Sequence, residues 1–414
     1  MEHFNTGCPR CAERNLHANL TTDYDLERAR PAFEQAIRDR PPGLWRYEAL
    51  LPFSADQAVT LEEGGTPLVD VPRLARRLGL RRVWIKDESR NPTWSFKDRS
   101  ASLAATHARE LGSPAMVVAS TGNAAAAVAA YARRAGLPAI VLFAKSVEPI
   151  MSAFVRSYGA FVVATETKAG RWVLMRHCLE AWGCYPAGSF VSPPIGANPY
   201  MIDGYKSIGF EIWEQLGRRL PDWIFGPSGY TNAMYGILKS FRELAGMGLL
   251  GEGQVPRMGI AEAYGSLSRA IETESEVVEA VDLSTLPTTV AISMGTAQNA
   301  YQGLYTIRTT GGSATPVSNE AILAAQKLLA DTEGIFGETA SATGLAALVE
   351  AVEGRRIERN DEVVILLTSS GLKSLGVSGD LEADPPFAAD VGEFGDVLRR
   401  AYGFSPHQIG SRTA

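Results

Sequence analysis

The sequence predicts an α/β protein made of two doubly wound domains, the smaller inserted into the larger. Short apolar runs alternate with helical patterns between residues 113 and 190, and the alternation resumes between residues 223 and 367. Strands that alternate with helices form βαβ units on a parallel sheet. The runs are continuously apolar, which is typical of strands in a sheet covered on both faces.

The first part of the chain is less regular. Residues 1–40 are polar, apart from a helix predicted over residues 25–39 that ends before Pro41 and Pro42. A short strand is predicted over residues 82–86. We therefore predict an N-terminal arm over residues 1–40, followed by the first segment of the large domain over residues 41–110.

The alternating segments define the rest of the two domains. In the small domain, residues 111–189, the pattern predicts strands at 115–119, 139–143 and 161–164 and helices at 123–135, 148–158 and 170–182. In the second segment of the large domain, residues 190–382, it predicts strands at 223–225, 258–262, 290–293 and 363–367. The C-terminal tail, residues 383–414, shows no clear pattern.

Composition argues against several classes of function. The net charge is -6 over 414 residues, so nothing indicates nucleic acid or an anionic membrane as a partner. No apolar run approaches the roughly 18–20 residues of a membrane-spanning helix. The N-terminus lacks the layout of a signal peptide, so we expect a cytoplasmic protein. Four cysteines in so long a chain argue against a disulfide scaffold.

The segment NPTWSFKDR, residues 91–99, contains the first candidate for chemistry. Lys97 begins a predicted helix, and its apolar neighbours Trp94 and Phe96 indicate a pocket. Burial disfavours the ammonium form, and a neutral amine can form a Schiff base with a carbonyl compound. Taken alone, a solvated surface lysine is the more common interpretation, and only the segments below favour a function.

Two loops lie between a predicted strand and a predicted helix, where free N–H groups of a helix N-terminus bind anions. The first, ASTGNA at residues 119–124, adds donors from Ser120, Thr121 and Asn123, although an ordinary capped turn uses the same residue types. The second, GPSGYTNA at residues 226–233, suits a phosphate monoester because its two glycines allow close approach of the backbone. A plain turn fits this second loop equally well.

Thr368 is a third candidate. It lies at the carboxyl end of the strand predicted over residues 363–367. A hydroxyl group at that position is either a cap or a hydrogen-bonding partner for an atom of a ligand ring.

Lys97 and these three segments, in this order, resemble the fold type II pyridoxal-phosphate-dependent enzymes, and among them the threonine synthase family. The resemblance spans about residues 40–375. It rests on LWRY (44–47), EGGTPL (63–68), NPTWSFKDR (91–99), STGNA (120–124), NPY (198–200), GYK (204–206), GETASA (337–342) and LTSSGLK (367–373).

The resemblance implies that pyridoxal 5'-phosphate lies in a cleft between the two domains. Lys97 would hold the cofactor as a Schiff base, Asn123 would hydrogen-bond its phenolic oxygen, and Thr368 would face its pyridine nitrogen. The resemblance also implies a homodimer and an amino acid as the small-molecule substrate.

The same resemblance implies two binding loops. The first would hold the carboxylate of the substrate through Ser120, Thr121 and Gly122. The second would hold the phosphate of the cofactor through Gly229, Tyr230, Thr231 and Asn232.

These residue types fit elimination or replacement on an activated amino acid. Pyridoxal phosphate is an electron sink for negative charge at Cα, and Lys97 is placed to take the Cα proton. Because Thr368 is neutral, it cannot hold a proton on the ring nitrogen as a carboxylate would. Loss of a leaving group from Cβ or Cγ is then favoured over transamination, as in the conversion of O-phosphohomoserine to threonine.

Two positions depart from the family pattern. The family usually has glycine where this chain has Trp94, and an indole there would reshape the pocket. It usually has an arginine that contacts the substrate phosphate where this chain has Met201, and a thioether cannot hold a phosphate as arginine does. We therefore include Trp94 and Met201 among the predicted substrate-binding residues and hypothesise a specialised relative that acts on another activated amino acid.

Three alternatives stay open within and beyond this chemistry. They are cysteate synthase-like replacement on O-phosphoserine, threonine or serine dehydratase-like elimination, and a catalytically silent relative that binds amino acids. The presence of Lys97, Asn123 and Thr368 argues against the last of these.

A metal site is not predicted. Cys8 and Cys11 are similar to the start of the zinc ribbon of some relatives, but a closed structural zinc site needs four ligands. His3 and His17 are the only other nearby candidates, and no second Cys-x-x-Cys pair follows.

Overall fold

A computed structural model describes residues 3–144, 149–375, 393, 396, 399 and 400. The chain divides into two compact units, Met1–Ser374 and Leu375–Ala414. The elements below belong to the first unit. Most of the tail predicted over residues 383–414 lies outside the described residues.

Ten strands occur in the described residues. They are β1 Leu68–Asp70, β2 Arg82–Asp87, β3 Met116–Ala119, β4 Ala139–Ala144, β5 Phe161–Thr165, β6 Tyr185–Pro186, β7 Trp223–Pro227, β8 Arg257–Glu262, β9 Ser313–Pro316 and β10 Glu362–Leu367.

The α-helices of the same residues are α1 Pro9–Ala12, α2 Leu26–Asp39, α3 Pro72–Leu78, α4 Lys97–Glu110, α5 Asn123–Arg134, α6 Pro149–Ser157, α7 Lys168–Trp182, α8 Pro199–Asp203, α9 Lys206–Gln215, α10 Asn232–Gly246, α11 Ser266–Glu272, α12 Tyr301–Thr310, α13 Asn319–Glu333 and α14 Thr339–Glu353. None of these helices is both long and apolar enough to cross a bilayer.

The strands form two sheets. The larger has the order β1-β2-β10-β7-β8-β9, with β1 antiparallel to β2 and the other pairs parallel. The smaller has the order β5-β4-β3-β6, and all its pairs are parallel. The strands of the small sheet fall in the chain between β2 and β7. The predicted α/β class with parallel sheets is confirmed, and the exact domain limits stay a prediction.

Both faces of the large sheet are covered. Successive side chains of a strand point to opposite faces, and β10 shows this clearly. Val364 and Leu366 pack into the apolar cluster on one face, and Val363, Ile365 and Leu367 pack into the cluster on the other. A hydrophobic run without polar alternation is therefore what this central strand requires.

The strand predicted at residues 290–293 is wrong. This segment is irregular and passes into a 3₁₀ turn, Ile292–Met294. The Val290 N–H donates to Asn319 Oδ1 at 2.9 Å, so a side chain takes the place that a neighbouring strand would have.

The sequence analysis also missed β9, which lies at the edge of the large sheet beside β8. Its sequence, Ser-Ala-Thr-Pro, is neither long nor apolar. Proline is tolerated at such a position because an edge strand has one side free of ladder hydrogen bonds.

Candidate active site

Lys97 is the first residue of α4 and is half-buried. Its Nζ lies 3.3 Å from the Tyr205 hydroxyl and 4.3 Å from the centre of the Phe96 ring. Tyr205 is itself only 1% exposed. The amine of Lys97 therefore sits beside aromatic rings and next to a buried phenol.

The turn before α4 holds Trp94 in an unusual backbone conformation. Its φ is +58°, in the left-handed region that L-residues rarely adopt. Its carbonyl oxygen accepts hydrogen bonds from Ser370 N at 3.2 Å and Ser369 Oγ at 3.0 Å. The indole stacks on the Phe154 ring of α6, with centroids 5.2 Å apart.

Asn123, the first residue of α5, lies between two buried charged side chains. Its Nδ2 donates to the two carboxylate oxygens of Glu338 at 2.8 and 3.0 Å. Its Oδ1 accepts from Lys373 Nζ at 2.8 Å and lies 3.1 Å from Ser369 Oγ. Because a lysine can only donate and a carboxylate accepts, these partners fix the orientation of the amide.

Burial favours the neutral forms of both charged partners of Asn123, and their pKa values shift accordingly. It lowers the pKa of Lys373 to about 8, against the opposing charges of Glu338 and Asp98. It also raises the pKa of Glu338, against the charge of Lys373 and the hydrogen bond from Asn123. For Asn123 to donate to a cofactor oxygen, as the resemblance implies, it would have to give up a bond to Glu338.

Thr368 follows β10 directly and is 1% exposed. Its Oγ1 lies 2.9 Å from Ser341 Oγ, and its carbonyl oxygen accepts from Phe96 N at 2.9 Å. The segment with Thr368 thus lies against the segment with Lys97. The Thr368 side chain at this end of β10 is therefore paired with another hydroxyl group.

The loop between β7 and α10 emerges at the same edge of the large sheet. β7 and β10 are parallel neighbours, and Phe225 pairs with Ile365, so the two carboxyl ends lie side by side. Ser228 Oγ and Thr231 Oγ1 are 2.7 Å apart, and both bond to Asn299. These two hydroxyl groups are therefore already satisfied within the chain.

Two further predicted binding sites differ in burial: the turn of residues 120–122 is more open, and Met201 is more deeply packed. Ser120, Thr121 and Gly122 are half-buried in the turn between β3 and α5, where the Gly122 N–H donates to Ser120 Oγ at 3.3 Å. Met201 is 5% exposed and packs in the apolar cluster around the small sheet.

Comparisons with known proteins identify a family for this chain. The model of the family described as pyridoxal-phosphate dependent enzyme matches residues 59–369. The chain belongs to this family. The threonine synthase of Methanosarcina acetivorans is 36% identical over 380 residues, covering 90% of this chain and 88% of that protein. The threonine synthase of Methanocaldococcus jannaschii is 34% identical, covering 84% of this chain and 85% of that protein. The resemblance to the threonine synthase family is confirmed.

Solved structures share the fold. The processed form of threonine deaminase isoform 2 from Solanum lycopersicum matches with a TM-score of 0.61 and 21% identity, covering 93% of this chain and 92% of that one. An L-serine ammonia-lyase from Rhizomucor miehei matches with a TM-score of 0.63 and 20% identity, covering 76% of this chain and 96% of that one.

Donors in this pyridoxal-phosphate-dependent enzyme fit the cofactor that the family requires. In the described part of the chain, the N–H groups of Gly229, Tyr230, Thr231 and Asn232 have no acceptor. They precede and begin the 15-residue helix α10, whose N-terminus favours a phosphate. Ser95 Oγ, two residues before Lys97, is buried and has no hydrogen-bond partner among the described residues.

Four residues near these segments were missed by the sequence analysis. Tyr205, Glu338 and Lys373 lie within the motifs that carry the resemblance, and that position was their only signal. Arg171 lies outside every motif. No group of three His, Cys, Asp or Glu side chains that could hold a metal ion occurs among the residues that the structure describes.

Proposed function

We propose that this pyridoxal-phosphate-dependent lyase removes or replaces a leaving group at Cβ or Cγ of a phosphorylated amino acid. O-Phosphohomoserine, the substrate implied by the threonine synthase resemblance, is the first candidate. The observation that supports this most is that the segments of Lys97, Asn123 and Thr368 are joined by direct hydrogen bonds. The cofactor would lie between the small domain, residues 111–189, and the large domain, residues 41–110 and 190–382.

The cofactor, when bound, supplies an electron sink for negative charge at the substrate Cα. Lys97 would hold it covalently and would take or return the proton at Cα. The Tyr205 hydroxyl, 3.3 Å from Lys97 Nζ, positions that amine. Ser120, Thr121 and Gly122 would bind the substrate carboxylate through the turn before α5.

Thr368 would face the ring nitrogen of the cofactor as a neutral hydroxyl. Its partner is the hydroxyl of Ser341, 2.9 Å away, so no charged group in this pair would hold a proton on that nitrogen. This favours loss of the leaving group over transamination. Gly229, Tyr230, Thr231 and Asn232 would hold the cofactor phosphate through their N–H groups.

The first test is cofactor binding by purified protein. We expect a visible absorption band that is absent in Lys97→Ala and retained in Lys327→Ala, since the Lys327 side chain is 76% exposed. A Lys97→Ala protein with an unchanged band would contradict the assignment of the lysine.

The second test is product formation. We expect inorganic phosphate to be released from O-phosphohomoserine, with threonine as the product, and O-phosphoserine and threonine serve as competing candidates. Rapid loss of ammonia from threonine would favour the dehydratase alternative. A protein that binds the cofactor but transforms none of these compounds would leave the silent amino-acid-binding alternative.

Assembly and location belong to the same proposal. The resemblance favours a homodimer, and the cytoplasm is the location that we propose. Sedimentation of the purified protein and fractionation of the source cells test these two points.

A further inference from the structure

Arg171 is a buried arginine for which the described residues supply no partner. It lies in the first turn of α7 and is 8% exposed. Among the residues that the structure describes, its Nε has no hydrogen-bond partner and its guanidinium forms no ion pair. Arg99, which is fully buried, instead bonds to Glu88, Glu211, Ser207 and Thr66.

An arginine in this state needs an anion. The guanidinium carries five N–H donors and keeps its charge in proteins. A buried charge is strongly unfavourable unless it is paired and hydrogen-bonded. A bound anionic ligand would supply the partner that the described residues do not supply.

The neighbourhood of Arg171 indicates which kind of anion. Tyr230 is close enough for its charge to raise the pKa of Arg171, against the lowering by burial. Arg171 in turn helps to lower the pKa of Tyr230, which burial raises. Tyr230 belongs to the loop whose N–H groups, residues 229–232, also lack acceptors in the described chain.

The helix of Arg171 is also well placed. α7 packs against β3 and β4 of the small sheet, and β3 leads directly into the turn with Ser120, Thr121 and Gly122. The helix of Arg171 therefore packs on the sheet that carries the turn proposed for the substrate, while Arg171 itself interacts with Tyr230 of the loop proposed for the cofactor phosphate.

Met201 cannot supply the charge that the family pattern would place at its position. Its side chain is apolar and packs in the cluster around the small sheet. A phosphorylated ligand would therefore need a cation from another part of the chain.

We propose that Arg171 binds the phosphate monoester of a ligand beside the loop of residues 229–232 and so replaces the arginine missing at position 201. This inference rests on the proposed function, which supplies two phosphate monoesters, that of the cofactor and that of the substrate. The planar fork of arginine suits either phosphate through two parallel hydrogen bonds.

The test uses the full-length protein and three variants. Arg171→Met removes the charge, Arg171→Lys keeps the charge but not the fork, and Arg176→Met is the control. Arg176 lies on the same helix with a side chain that is 48% exposed. Apoprotein is titrated with pyridoxal phosphate and with pyridoxal, and holoprotein is titrated with O-phosphohomoserine and with homoserine, with cofactor absorbance or protein fluorescence as the readout.

We expect Arg171→Met to weaken binding of one phosphorylated ligand by about 10- to 100-fold, the range for losing hydrogen bonds to a charged group. Binding of the matching ligand without phosphate should not change. Arg171→Lys should fall between the wild type and Arg171→Met, and Arg176→Met should match the wild type. The ligand that is affected, cofactor or substrate, identifies the source of the phosphate. Unchanged binding of both phosphorylated ligands by Arg171→Met would overturn the proposal.

Inorganic phosphate gives a readout that does not depend on the cofactor. It should raise the melting temperature of wild-type apoprotein and should not do so for Arg171→Met. Equal stabilisation of the two would overturn the proposal, whereas a wild type that never binds pyridoxal phosphate would instead contradict the proposed function.

Melting of the apoprotein without any ligand separates binding from a structural role. Because Arg171 has no partner among the described residues, Arg171→Met should melt at the same temperature as the wild type or higher. A clear fall in melting temperature would show that the guanidinium is needed by the fold and would also overturn the proposal.

Discussion

Trp94 combines a strained backbone with a favourable side-chain contact. A left-handed conformation costs an L-residue about 1–2 kcal/mol, and glycine avoids this cost because it has no Cβ. The indole remains 50% exposed and stacks on Phe154 at an interplanar angle of 22°. An offset aromatic pair of this kind contributes roughly 0.5–1.5 kcal/mol, so the contact offsets part of the strain.

This reasoning predicts an order of stability for two variants. Trp94→Gly and Trp94→Ala both lose the stacked indole, but only glycine relieves the positive φ of +58°. We expect Trp94→Gly to be more stable than Trp94→Ala by about 1 kcal/mol in free energy of unfolding. Denaturant titrations of the two apoproteins measure this difference. An alanine variant as stable as the glycine variant would show that the turn relaxes and holds no strain.

At the level of single residues, the sequence was informative where the local pattern decides the structure. Lys97 and Asn123 were predicted at the starts of helices, and each begins one. The roles of these residues towards the cofactor and substrate stay predictions. Local patterns could not identify Glu338 and Lys373, because each contributes to the site through a hydrogen bond to Asn123, which is more than 200 residues away in the chain.

Among the elements, α4 depends on a buried charge network beneath it. Arg99 bonds to both oxygens of Glu88 and both oxygens of Glu211, at 2.7 or 2.8 Å. Lys86 Nζ lies 2.6 Å from Glu211. Two cations therefore balance two carboxylates. Although burial raises the pKa of Glu211, the charges of Arg99 and Lys86 lower it to about 2. The network fixes the first turn of α4, and with it the backbone of Lys97.

Removal of Arg99 should destabilise the protein strongly. Arg99→Met leaves Glu88 and Glu211 buried with Lys86 as the only nearby cation of this network. Breaking a buried ion pair from one side costs about 3–5 kcal/mol. Arg109→Met is the control, because Arg109 is exposed on the same helix, and a surface change of this kind stays within about 0.5 kcal/mol. Denaturant midpoints measure both. Similar losses in the two variants would contradict a special role for the network.

The elements also show where sequence patterns fail. The strands β3, β4, β7, β8 and β10 are largely apolar, and all five were predicted. Residues 290–293 are similarly apolar but find no neighbouring strand, and polar β9 is a strand only because β8 offers a free edge. Pairing partners are chosen by the whole fold, so an edge strand and an unpaired apolar run are both missed by local patterns.

Across the whole molecule, two side-chain contacts near Lys97 join the small sheet to the large one. Asn123 begins α5, which packs on β3 and β4 of the small sheet, whereas Glu338 precedes α14, which packs on β7, β8 and β10 of the large sheet. The second contact is the stack of Trp94 on Phe154. The packing of the small sheet against the large one therefore depends on contacts made by residues of the candidate site. Lys373 Nζ also bonds to Asn123 in the first contact, and the ionisation of this lysine can be followed.

The charge of Lys373 should appear as a pH dependence of stability. Below about pH 8 this lysine is protonated in the folded and the unfolded protein alike. The ordinary pKa of a lysine is 10.5. Between about pH 8 and pH 10.5, Lys373 in the folded protein has therefore released the proton that it still binds in the unfolded chain. The free energy of unfolding should therefore rise with pH in this window, by about 2 kcal/mol between pH 8 and 10 from this group.

Lys373→Met should lose that part of the rise, whereas Lys327→Met, changed at an exposed lysine, should keep it. Denaturant titrations of the three apoproteins at both pH values measure the difference. The same rise in all three would mean that Lys373 is not held as a costly buried charge and that the small and large sheets meet without it.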